Sequence, residues 1–376
     1  MSKSIKSITL IASMLFLFGC AANPVTTPAP TPAPQAPGAE APAQPGTPAQ
    51  PGTPAEEPAQ PPVQQPVKSN IGDYYPLKAN TIYLYEGMGN EYATFDVVVD
   101  YLEGNKIQVR ENNGGTEIVK VIQVTADAVK VVFSRGETYF RESFLSRTSD
   151  KEDILLKAPL TVGTSWKQSD GNTSTITGVD VEVTVPLGTY KAIEVTTKTT
   201  GGDNINYYAE DIGLVKRVFK TGTDEITSSL KEIKENAAHS KMMSFYFPNA
   251  DGKIVRVNRT VDFKTNDISR MVLEHIYREI GKEQNSNVIS ENTEIKSLYL
   301  NADGMVYIDL SKEFVSEMNA GSQFEYLNLQ SVVNTFGDFY GETKVMLTIE
   351  GEPYASGHIE LKKFESMTVN YKDVVD

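Results

Sequence analysis

The sequence predicts a multidomain chain: an all-β antiparallel domain followed by an α+β domain, both hung after a disordered Pro-rich linker. Three observations carry that reading. From about Ile71 to Glu232, short runs alternate apolar and polar residues with turn signals between them, and no helical period of useful length breaks in. From about Met242 the pattern turns mixed, with strands interleaved with two runs at helical spacing. Finally, 15 of the 20 Pro residues fall between Pro24 and Pro66, where large apolar side chains are nearly absent and no core can form. The expected boundaries are 1–19 for a signal segment, 20–69 for the linker, 70–235 for the β domain and 237–376 for the α+β domain.

Composition narrows the function classes. The 376 residues hold 35 Lys+Arg against 49 Asp+Glu, a formal net charge of −14. Lys3 and Lys6 are the only charges before Cys20, so a chain lacking the leader is more acidic still. That balance opposes nucleic-acid binding, which needs a concentrated basic face, and adhesion to anionic lipid by charge alone. A single Cys excludes an intramolecular disulfide, a Cys-based zinc site and an iron–sulfur cluster. Three His leave little material for a His-rich metal centre, and no cofactor is expected.

At the start of the chain, basic Lys3 and Lys6 precede an apolar stretch from Ile8 to Phe18 that is too short for a stable membrane span. Its end, Leu17-Phe18-Gly19-Cys20, resembles a bacterial lipobox, in which the Cys becomes the first mature residue and carries acyl chains, palmitate among them. Phe18 is bulkier than the small residue usual there. Cys20 is therefore the expected lipid anchor, which places the chain on the extracytoplasmic side of the cell membrane. An ordinary signal peptide or an uncleaved anchor is the alternative. In the linker, the hexad Ala43-Gln44-Pro45-Gly46-Thr47-Pro48 repeats at once at Ala49 to Pro54. Pro holds such a segment near polyproline II, giving a semi-rigid tether of up to about 130 Å at about 3.1 Å per residue. The absence of flanking basic residues favours a spacer over a ligand for a partner domain.

In the β domain, runs such as Thr81-Ile82-Tyr83-Leu84-Tyr85 and Lys106-Ile107-Gln108-Val109-Arg110 recur, separated by turn signals such as Glu103-Gly104-Asn105. They predict a curved or sandwiched antiparallel sheet. Tyr74 to Thr81, Val185 to Val195 and Tyr207 to Arg217 resemble the entry strand and central hairpins of β domains frequent in exported bacterial lipoproteins. Those domains are similar to half-barrels that carry lipid or present a surface. Trp166 and the Tyr residues either line a ligand groove or, more simply, pack the core.

For the last domain, Met242 to Phe247 and Lys253 to Val257 read as a hairpin about Asn249-Ala250-Asp251-Gly252. A helix is expected from Asp267 to Ile280, with Ile268, Met271, Val272 and Ile276 as its apolar face, Thr265 or Asn266 as cap and Gly281 as stop. Ile295 to Leu300 and Met305 to Leu310 form a second hairpin. Ser322 and Glu325 read as a capping box opening a helix to about Phe336, and Val345 to Ile349 is the final strand. Both helices are expected on one face of one sheet, with Phe245, Phe247, Val255, Val257, Ile308 and Leu347 filling the core. Each domain has its own apolar pattern, so 70–235 and 237–376 are expected to fold separately.

This order resembles the GerMN domain family of sporulation and spore-germination lipoproteins. The resemblance rests on Phe245-Tyr246-Phe247-Pro248 with Arg256 and Arg259 downstream, on Tyr307 to Phe314, on Glu325 to Phe336 and on Val345 to Glu352. The family often closes its first helix with Gly-Pro, where this chain has Gly281-Lys282. The family is similar to small ring-building modules, so the resemblance implies assembly and not chemistry, with envelope proteins, peptidoglycan or a second copy as partners. Arg256 and Arg259 are the expected partner-binding residues, unless they only pair with Asp262 or Glu360.

Enzymatic readings are weaker. Asp309 and Glu313 are candidates for an acid–base pair, but Asp309 and Ser311 at a strand exit are better read as caps of backbone N–H groups. His239, His275 and His358 lack ligand spacing. No nucleophile elbow, phosphate loop or dinucleotide fingerprint occurs. The function read from sequence is thus a non-catalytic envelope lipoprotein that binds or scaffolds, in sporulation, germination or peptidoglycan-associated assembly. A cell-wall hydrolase working with carboxylates, and a lipid carrier using a β-domain cavity, are the rivals.

Overall fold

The computed structural model describes residues 70–375, so the signal segment, Cys20 and the whole linker lie outside it. The described residues form one compact unit. After a 3-10 turn at Ile71–Tyr74, twelve antiparallel strands follow in one sheet. Its first half comprises β1 (Ile82–Met88), β2 (Phe95–Glu103), β3 (Lys106–Asn112), β4 (Glu117–Val124), β5 (Ala128–Arg135) and β6 (Asp153–Lys157). Its second half comprises β7 (Ser165–Lys167), β8 (Thr173–Val185), β9 (Gly188–Thr199), β10 (Gly202–Ala209), β11 (Gly213–Thr221) and β12 (Asp224–Lys234).

The order β6-β5-β4-β3-β2-β1-β12-β11-β10-β9-β8-β7 leaves two strands adjacent in the chain, β6 and β7, at opposite ends of the ladder. Side chains close that seam. Gln168 accepts from Ile154 N at 2.9 Å and donates to Ile154 O at 2.8 Å, as a strand backbone does. Trp166 Nε1 also donates to Ile154 O, at 2.9 Å. The sheet is therefore a near-barrel whose free edges are satisfied by amide and indole groups instead of a ladder. Trp166 is 5% exposed and belongs to the core, as the simpler sequence reading had it.

The remaining elements are β13 (His239–Pro248), β14 (Ile254–Phe263), α1 (Ser269–Glu283), β15 (Ile295–Leu300), β16 (Val306–Leu310), the short α2 (Glu313–Ser316), α3 (Ser322–Tyr340) and β17 (Lys344–Ile349). Two-residue strands β18 (Glu352–Pro353), β19 (Met367–Thr368) and β20 (Val374–Val375) complete the chain. These strands form two sheets, not one: β13-β14-β20, and β15-β16-β17 with β18 and β19. Helix α3 packs against both β13 and β17, and α1 against β14 and β15. The expected single sheet fails because β13 pairs only with β14, and Thr335 Oγ1 of α3 takes the Tyr246 N–H.

Several local expectations change for identifiable reasons. The buried face of α1 is Leu273, Tyr277, Ile280 and Gly281, whereas Ile268 and Met271 stand 52% and 53% exposed. Gly281 does not stop the helix. A Cβ there lands 2.7 Å from Ser286 O, so the position serves close approach of the following loop. Thr265 and Asn266 do not cap α1, and neither does a capping box open α3, where the N-cap is Gly321 without a side-chain bond. Glu325 is 3% exposed and accepts from Tyr354 Oη at 2.9 Å and from Ser356 Oγ. Phe245, Phe247, Ile308 and Leu347 are core residues as expected, while Val255 and Val257 are half-buried.

The largest apolar cluster crosses the expected domain boundary. It joins Tyr101, Val119, Val121 and Val132 of the near-barrel, and Phe140, Phe144 and Leu145 of the β5–β6 connection, to Phe245, Tyr277, Phe336 and Leu347. The Phe140 ring packs 5.0 Å from that of Tyr340. This shared core opposes the expectation that 70–235 and 237–376 fold independently, because each alone leaves part of it in water.

Candidate functional site

Two constellations stand out, a buried polar junction and a concave pocket. The junction starts from a β-bulge: Val99 faces Val109 and Tyr101 faces Gln108, so Asp100 between them drops out of the ladder. Its carboxylate meets Arg110 Nη2 at 3.0 Å, and its carbonyl accepts from Arg141 Nη2 at 2.8 Å and from Asn266 N at 3.1 Å. Arg110 also holds Glu117 at 2.7 Å, and donates to the carbonyls of Phe140 and Thr138. Gln108 accepts from Phe144 N at 2.6 Å and donates to Glu142 O at 2.8 Å. The β5–β6 connection is thus gripped from the barrel side along its backbone.

Arg141, 2% exposed, reaches the other way, to Tyr101 Oη at 2.8 Å, Lys264 O at 2.8 Å, Asp267 O and Ser269 Oγ. Asn266 bonds Leu102 through both amide atoms, at 2.8 and 3.0 Å, and Thr265 exchanges bonds with Asn80 at 2.7 and 2.9 Å. The residues expected to cap α1 therefore fasten the α+β region to the near-barrel.

His239 lies in this junction. Its Nδ1 is 4.0 Å from Asp100 Oδ1, and both atoms are buried without a hydrogen-bond partner among the described residues. Burial pushes the imidazole below its ordinary value; Asp100 and Glu117 oppose this while Arg110 and Lys241 add to it. The unfolded chain therefore binds the proton more readily, and stability is lost as pH falls through about 6.5 toward the lower folded value. Thermal melting at pH 7.5 and 5.5 should show a drop on acidification that is smaller in His239→Leu. An equal drop in both would exclude the histidine as its source.

The concave pocket lies inside the near-barrel, partly open, with a volume of about 110 Å³. Phe95, Val97, Val109, Ile122 and Tyr208 are among its walls. Into this apolar surface project Glu111, Lys120 and Arg217. Glu111 accepts from Lys120 at 2.8 Å and from Arg217 at 3.2 and 3.4 Å. Although burial pushes the Glu111 carboxyl up, Arg217 and Lys120 outweigh it and hold the group at about 2. The Arg217 guanidinium also sits 4.8 Å above the Phe95 ring. Sequence reasoning missed this triad. The available signal was a charged residue in the inward phase of β3, where Ile107 and Val109 precede Glu111.

The structure separates the sequence-chosen residues. Arg256 is exposed on the face of β14 that also carries Ile254, beside Tyr246 and Tyr371. Arg259, three residues on, lies on the opposite face and pairs with Glu283 of α1, not with Asp262 or Glu360. The two do not share a surface, because side chains alternate along a strand. Asp309 accepts from Thr348 Oγ1 at 2.7 Å and Gly351 N at 2.8 Å, serving the strand exit, while half-buried Glu313 is held below the ordinary carboxylate range by Ser311 and its own backbone N–H. No hydrogen bond joins Asp309 to Glu313 among the described residues. His275 faces Glu279 at 3.3 Å on the exposed side of α1, and His358 is exposed. Among the described residues no cluster of three or more His, Cys, Asp or Glu side chains is placed to hold a metal, and no helix is long and apolar enough to cross a membrane.

Together the two parts define an antiparallel near-barrel followed by a GerMN-like α+β region. Residues 244–355 match the Germane family model, described as sporulation and spore germination. Among solved structures, the first GerMN domain of the sporulation protein GerM from Bacillus subtilis is 24% identical, over 35% of this chain and 95% of that one, with a TM-score of 0.25. A protein of Clostridium perfringens described as a lipoprotein is 13% identical over 34% of this chain and 90% of its own, with a TM-score of 0.20. An exported protein of Bacteroides fragilis with a YmcC-like fold is 13% identical over 43% and 98%, with a TM-score of 0.23. No curated protein matches the chain.

Proposed function

We propose that this chain is a non-catalytic cell-envelope lipoprotein, anchored through Cys20, that presents its GerMN-like region as a binding or scaffold module in sporulation, germination or peptidoglycan-associated assembly. The observation that carries the reading is the junction. Arg141, Asn266 and the shared apolar core fix the GerMN-like region to the near-barrel, so that its surface is offered on a stiff platform. An assembly part must keep its contact surfaces in register, and a rigid mount does that. Chemical crosslinking in native membranes followed by co-purification should recover a protein partner or a second copy. Arg256→Glu should reduce that capture, with the effect weakening as salt is added. Arg259→Glu should act chiefly by breaking its ion pair with Glu283. Release of peptidoglycan fragments that disappears in Asp309→Asn or Glu313→Gln would replace the scaffold with the hydrolase.

A further inference from the structure

From the concavity of the near-barrel we infer a binding site for a small amphipathic carboxylate, independent of the scaffold role. The first argument is size. A volume of about 110 Å³ is below the roughly 150 Å³ of an engineered cavity that takes benzene. It admits a short chain, and the whole tail of a membrane lipid does not fit inside it.

The second argument is charge. Lys120 and Arg217 set two positive charges against the single negative charge of Glu111, in a chain whose overall balance is −14. A pocket wall carrying one surplus positive charge is completed by a monoanion. The third argument is donor supply. A guanidinium has five N–H donors, and Arg217 gives two to Glu111 through long bonds of 3.2 and 3.4 Å. Its side chain stays 37% exposed although it lines the pocket, so donors remain that a carboxylate can meet in fork geometry. Phe95 lies beneath the guanidinium and attracts it through its ring face. The ligand's apolar end then lies against Val97, Val109 and Ile122, with its carboxylate at Arg217 and Lys120.

Isothermal titration of residues 61–376 tests this with hexanoate, its neutral counterpart hexanol, and palmitate. Hexanoate should bind saturably, and hexanol at least about tenfold more weakly, the order of one charge-assisted contact. Arg217→Gln should weaken hexanoate by a similar factor and leave hexanol unchanged. Val97→Phe should fill the pocket and abolish binding of both. The hexanol and Arg217→Gln comparisons decide the matter even where Val97→Phe does not fold. Absence of saturable hexanoate binding by a protein with a native melting curve overturns the site. Equal binding of acid and alcohol, unaffected by Arg217→Gln, overturns the anion's role. Palmitate binding far tighter than hexanoate overturns the size limit and restores the lipid carrier.

Discussion

Replacing Arg141 by Met should destabilise the protein by about 3–5 kcal/mol, the range for removing one member of a buried charged network. Arg141 is 2% exposed and serves the carbonyls of Asp100, Lys264 and Asp267 as well as the Tyr101 and Ser269 hydroxyls. Without it these oxygens stay buried with fewer donors, and each unsatisfied group costs about 1–3 kcal/mol. Methionine keeps much of the packing against Tyr101 and Phe263, whose rings lie 4.3 and 5.1 Å from the guanidinium, so the loss reports polar contacts. Lysine should rescue little, since one ammonium cannot span acceptors arranged for a planar fork. Denaturant unfolding measures the change at constant slope. A loss below about 1 kcal/mol would show that water takes over the role.

Cutting the chain between the near-barrel and the GerMN-like region should be more damaging. Residues 70–235 and 237–376 made separately should each melt at least about 10 °C below the intact protein, given the usual few degrees per kcal/mol for domains of this size. Phe140, Phe144 and Leu145 leave the second piece without part of its core, and the first piece exposes the same side chains. The intact unit should melt in one transition. Phe140→Ala should by itself cost about 3–5 kcal/mol and lower that single transition. Two unchanged melts from the separated pieces would restore the independent domains expected from sequence.

The shared core escaped the sequence for a definite physical reason. Periodicity reports which phase of a strand is apolar, and the strands and turns of both regions could be placed from it. It then assigns the other phase to solvent. In β2 and β3 the polar phase holds Asp100, Gln108 and Arg110, at 1%, 0% and 1% exposure. They are covered because the GerMN-like region and the β5–β6 connection pack over them. The same blindness affected Glu325, read as a local cap although its partners are Tyr354 and Ser356. It also affected the face of α1, where exposed Ile268 and Met271 were chosen over Tyr277 and Ile280. Nothing in a linear pattern says which of several apolar residues meets another element.

By itself the sequence determined the order of elements, the near-all-β first region, and the resemblance of residues beyond Phe245 to GerMN domains. All of these rest on local preference and short-range spacing, which act along the chain. Only the tertiary structure decided that the two regions share a core, that Arg141 rivets them, that Arg256 and Arg259 face opposite ways, and that Glu111, Lys120 and Arg217 meet in one pocket. Arg217 lies 106 residues from Glu111, and contacts at that separation are chosen by how the sheet curls and what packs on its back, not by any local rule.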